Sequence, residues 1–108
     1  MSYKIDTIPQ FEKQSKRLAK KYPSFKKELS DLIIKLEKDP QQGNALGNNF
    51  FKIRLSIASK GKGKSGGARV ITFVKVIKSV VYLTSVYDKG EKDTLSKQEL
   101  EKIFEQIP

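Results

Sequence analysis

From Phe51 the chain changes its apolar period from that of a helix to that of a strand. Phe51, Ile53, Leu55 and Ile57 fall on one parity and Lys52, Arg54 and Ser56 on the other, the alternation of a strand with one buried face. Upstream the spacing is helical. Phe11, Ser15, Leu18, Ala19 and Tyr22 predict a helix over residues 8–21, with Lys13, Lys16, Arg17, Lys20 and Lys21 on its opposite face. Phe25, Leu29, Leu32, Ile33 and Leu36 predict a second helix that ends before Pro40. Pro23 separates them by so short a connection that the two form an antiparallel hairpin. Residues 3–6 read as a short first strand. Thr7 with Gln10 has the spacing of a capping box, and Ser24 can cap the second helix.

Downstream, residues 39–49 are rich in Asn, Gln and Gly and read as a loop. Residues 59–67 are too glycine-rich to pack and predict a mobile loop. Ala68–Val76 and Ser79–Tyr87 are β-branched and predict two strands joined by a tight turn at Ile77 and Lys78. Ser96 with Glu99 opens a last helix carrying Leu100, Ile103 and Phe104. The order is strand, helix, helix, three strands, helix, in one domain over residues 1–108. The fold class is α+β: the apolar side of the helix pair needs the apolar face of the sheet. The other sheet face is expected to be free, with Lys52 and Arg54 on it.

The charge is placed on that sheet. Between Gln41 and Tyr87 the chain carries eight lysines and arginines and no acid, whereas residues 1–40 contribute +4 and residues 88–108 contribute −2 to the net +10. A basic sheet with an acidic tail behind it points to a directed polyanion site rather than to general solubility. The chain has no cysteine and no histidine. Disulfides, thiolate nucleophiles, a histidine-based triad and the commonest transition-metal ligands are thereby excluded. No apolar run approaches a membrane span and the first residues lack an apolar signal segment, so a soluble, cytoplasmic chain is expected.

Lys52 and Arg54 lie on one side of one strand, roughly 7 Å apart. If strands 50–58 and 68–76 pair as a hairpin, Arg69 reaches the same face, and three fixed cations then make a phosphate clamp. Lys60, Lys62 and Lys64 alternate with glycines in the loop that follows and supply point charges for RNA. The run lacks the spacing of a P-loop. Tyr82 and Tyr87 have opposite parity, so only one of them is expected on the basic face. Tyr87, at the strand end beside Lys89, is the candidate for base stacking or proton exchange, and Tyr82 belongs to the core. Asp88, Glu91 and Asp93 make the only carboxylate cluster near the basic region, and they read as a solvated loop rather than a metal site.

Three stretches resemble the RelE/ParE toxin superfamily, and in particular its HigB-like branch: Phe51-Lys-Ile-Arg-Leu, then Ser59-Lys-Gly-Lys-Gly-Lys-Ser-Gly-Gly-Ala-Arg-Val-Ile, then Val81-Tyr-Leu-Thr-Ser-Val-Tyr-Asp-Lys. The resemblance is strongest from Phe50 to Lys89. It implies a helix hairpin packed on a small twisted, mainly antiparallel sheet with a C-terminal helix. It also implies the toxin of a type II toxin–antitoxin pair, a metal-independent endoribonuclease that cleaves mRNA in the ribosomal A site and stops translation. No cofactor is expected, and the implied partners are the ribosome, its mRNA and a cognate antitoxin in a hetero-oligomeric complex. By the resemblance, Lys52 and Arg54 match the family's basic pair on the central strand, Arg69 the arginine that contacts the scissile phosphate, and Lys89 an arginine after the last strand. The C-terminal tyrosine of well-known members falls near Leu95, which leaves the general base unassigned; Tyr87 or Lys60 are the substitutes the sequence offers. ParE-type members share the fold, poison DNA gyrase and generally lack this basic set. The rival readings are therefore a gyrase poison, an RNA-binding protein that does not cut, and a folded but inactive toxin.

Overall fold

The computed structural model describes residues 2–60 and 66–108. Lys62 and Lys64, and the mobility expected of their loop, lie outside the described residues. The elements are β1 (Lys4–Thr7), α1 (Pro9–Lys21), α2 (Phe25–Lys38), β2 (Asn44–Gly47), β3 (Phe50–Leu55), β4 (Ala68–Lys75), β5 (Val80–Asp88) and α3 (Lys97–Gln106). Among the described residues five strands form one sheet in the order β1-β5-β4-β3-β2. β1 runs parallel to β5 and every other pairing is antiparallel. The α+β architecture expected from the sequence is the one observed.

The helix pair covers one face of this sheet. Phe11 and Leu18 of α1 and Phe25, Leu32 and Leu36 of α2 are buried against Ile53, Leu55, Val70, Val74, Val81, Leu83 and Val86. Thr7 does not cap α1. It pairs with Leu83 in β1, its hydroxyl donates to Glu12 at 2.8 Å, and the Gln10 amide donates instead to the Thr84 carbonyl on β5. Ile8 occupies the cap position, with Pro9 at the start of the helix where no N–H is needed. Ser24 likewise leaves its helix uncapped and shares a hydrogen bond with Ser59 at 2.8 Å. The capping box of the last helix forms as expected, with Ser96 accepting from the Glu99 amide and Glu99 from the Ser96 amide.

Three further features differ from the sequence reading. Residues 44–47 make a fifth strand on β3, joined to it by a turn in which Asn48 and Asn49 hold left-handed φ of 53° and 68°; asparagine tolerates that region far better than most side chains. β5 holds one extra residue: Ile71 pairs with Ser85 but Thr72 pairs with Leu83, leaving Thr84 bulged. The bulge resets the parity, so Tyr87 opposite Arg69 and Tyr82 opposite Phe73 share one face despite their odd spacing. Finally, the second sheet face is only half free. Phe104 of α3 stacks edge-on against Phe73 at 5.5 Å, Phe73 tilts against Phe50 at 5.1 Å, and Ile103 is buried. Lys75 fastens the chain end by donating to the Pro108 carbonyl at 2.7 Å. α3 thus covers the Phe50–Phe73–Tyr82 half of the face and leaves the Arg54–Arg69–Tyr87 half for other uses. Among the described residues no helix is long and apolar enough to cross a membrane.

Candidate functional site

Strand register assembles the basic group. Arg54 of β3 lies directly opposite Arg69 of β4, and Arg69 directly opposite Tyr87 of β5. Directly opposed residues project to the same face, so these three side chains form a row across the middle of the sheet with steps of about 4.8 Å. Lys52, two residues before Arg54, joins the row from the same face, opposite Ile71. The expectation that charged side chains from separate strands meet on one face corresponds to this register.

The exposures within the row differ. Arg54 is exposed at the rim, Lys52 is half-buried and Arg69 is only 2% exposed. A guanidinium so deep has to be paired, because an uncompensated buried charge costs several kcal/mol. Arg69 donates from Nη1 to the Ala68 carbonyl at 3.1 Å and from Nε to Asp93 Oδ1 at 3.3 Å. Asp93 stands in the loop after β5 and gathers the other groups as well. Lys89 Nζ lies 3.9 Å from the same carboxylate oxygen. The Asp93 carbonyl accepts from Lys52 Nζ at 3.2 Å and from the Tyr87 hydroxyl at 3.3 Å. Asp93 was not expected in this role. Its spacing, four residues after Lys89 and beyond a glycine, holds no signal of which side of the sheet the loop returns to.

Tyr87 is 6% exposed. Burial, with the nearby Asp93 charge adding to it and Arg69 opposing it, pushes its phenol up to about 12. At neutral pH it is therefore a hydrogen-bond and proton donor and not a base. One side of its ring faces Lys92, whose ammonium lies 5.9 Å from the centroid. Beyond Tyr87 a cleft of about 770 Å³ continues between α1 and α3, lined by Arg17, Lys13, Lys92, Leu95 and Lys102 among others. Leu95, near which the resemblance places a tyrosine, is half-buried on this cleft wall.

Lys60 belongs to a different group. Its ammonium pairs with the Asp88 carboxylate and donates to the Gly67 carbonyl at 3.4 Å. Asp88 also accepts from the Tyr22 hydroxyl at 2.7 Å and the Gly90 amide at 2.8 Å. Asp88 neighbours Tyr87 on β5 and points to the opposite, helix-covered face. Burial alone would raise its carboxyl, but hydrogen bonds from Lys60 and Tyr22 override that and hold it down at about 2. The acidic segment is thus not a uniformly solvated loop: Asp88 is buried, Asp93 sits in the basic group, and Glu91 is exposed with Arg17 at 2.8 Å. Lys60 and Gly67, the one before and the other after residues 61–65, are thereby joined to each other on this side of the sheet. A Cβ on Gly67 would run into the Leu55 carbonyl, so Gly67 itself lies tight against β3. Among the described residues no group of three or more histidine, cysteine, aspartate or glutamate side chains is placed to hold a metal ion.

A family model described as "RelE toxin of RelE / RelB toxin-antitoxin system" matches residues 10–107. Solved structures from E. coli share the fold. The isolated RelE toxin superposes with a TM-score of 0.63 at 20% identity, covering 98% of this chain and all of that one. A double arginine-to-alanine mutant of RelE in the free state gives 0.61 at 19% identity, covering 98% of this chain and 94% of that one. The intact RelBE toxin–antitoxin complex gives 0.61 at 20% identity, covering 79% of this chain and 94% of that chain.

Proposed function

The chain belongs to the RelE toxin family, and we propose that it is a metal-independent endoribonuclease that cleaves mRNA on the ribosome and thereby arrests translation in the cytoplasm. The observation that carries this reading is the row Arg54–Arg69–Tyr87, flanked by Lys52 and Lys89. It offers charge neutralisation and a proton donor for in-line attack at phosphorus. The 2′-hydroxyl gives its proton to water and its oxygen bonds to the adjacent phosphorus as the bond to the 5′-oxygen breaks, leaving a 2′,3′-cyclic phosphate and, once the departing oxygen is protonated, a 5′-hydroxyl. Arg54 and Arg69 face the non-bridging oxygens, where charge develops in the phosphorane. Lys52 and Lys89 add positive charge beside the phosphate. The neutral Tyr87 phenol is suited to giving its proton to the departing 5′-oxygen, or to stacking on a base beside the cut. A chain with no histidine depends heavily on the substrate being held in an attack geometry, which accounts for a requirement for the ribosome. A cognate antitoxin that covers and neutralises the basic face is the expected protein partner.

Expression in cells with mapping of mRNA 5′ ends tests this. The expected result is new ends inside translated codons, with 5′-hydroxyl chemistry, that disappear in Lys52→Met and Arg54→Ala. Growth arrest with intact mRNA and an induced DNA-damage response would instead assign the chain to the gyrase-poisoning branch.

A further inference from the structure

Four of the side chains placed around the scissile phosphate, Arg69, Lys89, Lys52 and Tyr87, share one partner, Asp93. Asp93 offers its carboxylate to Arg69 at 3.3 Å and to Lys89 at 3.9 Å, and its main-chain oxygen to Lys52 at 3.2 Å and Tyr87 at 3.3 Å. We propose that Asp93 is a built-in stand-in for the substrate phosphodiester: it occupies the anion seat of the free protein, and RNA binds by displacing it. The proposal rests on the nuclease reading for the identity of the ligand, but its seat is tested by binding alone.

Three observations support displacement rather than a fixed structural contact. The first is the contrast in exposure. Arg69 is 2% exposed, whereas the Asp93 side chain is 57% exposed. The cation is embedded and the anion sits on the solvent side, so an incoming phosphate meets Asp93 before it meets Arg69. A buried guanidinium is kept paired with an anion, and a phosphodiester replaces a carboxylate there without a change in charge while presenting two oxygens to the fork of Arg69. The second is the weakness of the loop's other ties. Beyond the turn bonds at its base, from the Glu91 and Lys92 amides to the Asp88 carbonyl, and the packing of Leu95 and of Lys92 over the Tyr87 ring on either side of Asp93, the polar ties of residues 91–95 apart from Asp93 itself are Arg17–Glu91 and Lys92–Glu99 among the described residues. Both are ion pairs between exposed side chains, a class that contributes little and is screened by salt. The third is position. Asp93 follows the last of those base bonds, made by the Lys92 amide, and with Thr94 forms an exposed pair before the half-buried Leu95, so these two residues can turn outward while the base of the loop stays closed.

The same arrangement explains why a site this basic need not bind every polyanion it meets. A ligand must offer a phosphate in the place of the carboxylate and also acceptors for Lys52 and Tyr87, and a single-stranded RNA backbone held in an attack geometry provides both.

The test is binding of an uncleavable, 2′-O-methylated single-stranded RNA of about ten nucleotides, followed by fluorescence anisotropy at fixed salt. Asp93→Asn removes the anion and keeps the shape and the main-chain oxygen. It should tighten binding by about three- to tenfold. Glu101→Gln makes the same charge change on an exposed face of α3 and should tighten it by less than about twofold. In the Arg69→Ala/Asp93→Asn double variant the gain should vanish. An Asp93→Asn variant that binds no better than Glu101→Gln, or a gain that survives loss of Arg69, overturns the proposal. The unaltered protein gives an independent reading: on titration with inorganic phosphate, the Arg69 Nε and Asp93 backbone amide NMR signals should move together. An Arg69 signal that shifts while Asp93 stays still would overturn it as well. Tight binding with no cleavage on ribosomes would refute the nuclease reading and leave the seat assignment standing.

Discussion

Asp88 is the group whose removal the structure prices most directly. Its carboxylate accepts from Lys60, Tyr22 and the Gly90 amide, and its side chain is 7% exposed. Its carboxyl is held at about 2 against an ordinary 3.8. A shift of nearly two units corresponds to about 2 kcal/mol of folding stability. The folded value is the lower one, so this contribution is fully present above pH 3.8 and is lost as the pH falls through 2. Asp88→Asn removes the charge but keeps one acceptor. It also leaves the Lys60 ammonium, 13% exposed, without its counter-charge, and breaking a buried pair in this way costs roughly 3–5 kcal/mol. Urea unfolding at pH 7 should therefore show the variant less stable by about 2–4 kcal/mol. At pH 2 the difference should shrink below about 1 kcal/mol, because the native carboxyl is then half protonated and has lost most of its advantage. Taking the difference between the two proteins at each pH cancels the other acidic groups. A loss that is the same at both pH values, or under about 0.5 kcal/mol at pH 7, would refute the reasoning.

Other consequences are simpler to measure. In a spectrophotometric titration one of the four tyrosines, assigned by its absence in Tyr87→Phe, should ionise only near 12, and an onset near 10 would mean the ring is wet. Because the folded value is the higher one, the stability linked to the phenol should be present below pH 10 and be lost as the pH rises through 12. Thr72→Val should raise stability by about 0.5–1.5 kcal/mol in urea unfolding, because the buried Thr72 hydroxyl has no hydrogen-bond partner among the described residues. Arg54→Ala should leave stability within about 0.5 kcal/mol, since the side chain is exposed, and a large loss would mean that Arg54 is structural rather than a ligand.

Local rules carried most of the architecture. The period change at Phe51, the proline between the helices and the Ser96–Glu99 capping box each act within one turn or one strand, and each is found where the sequence places it. What escaped depends on partners far along the chain. β2 lacks β-branched residues and becomes a strand because β3 offers it an edge and Asn48 and Asn49 accept the turn. At the bulge the Thr84 hydroxyl donates to the Ile71 carbonyl across the sheet at 2.8 Å, and a period-two count cannot register it. Thr7 and Gln10 have capping spacing, yet both are taken by β5. For the site, parity and hairpin pairing were enough to bring Lys52, Arg54 and Arg69 together on paper. They could not separate Lys60 from that group, because nothing in its glycine-rich surroundings shows that Asp88 points the other way. Nor could they show that Asp93 returns over the basic face, since a short charged loop has no period to read.

The central claim is that this row of cations cuts RNA, and the chemistry of the cut ends tests it most directly. Purified chain is mixed with ribosomes carrying a defined mRNA and an empty A site, and both new RNA ends are analysed. A 2′,3′-cyclic phosphate and a 5′-hydroxyl at the A-site codon, absent with Lys52→Met, is the predicted result. Intact mRNA, or ends bearing a 5′-phosphate, would contradict it.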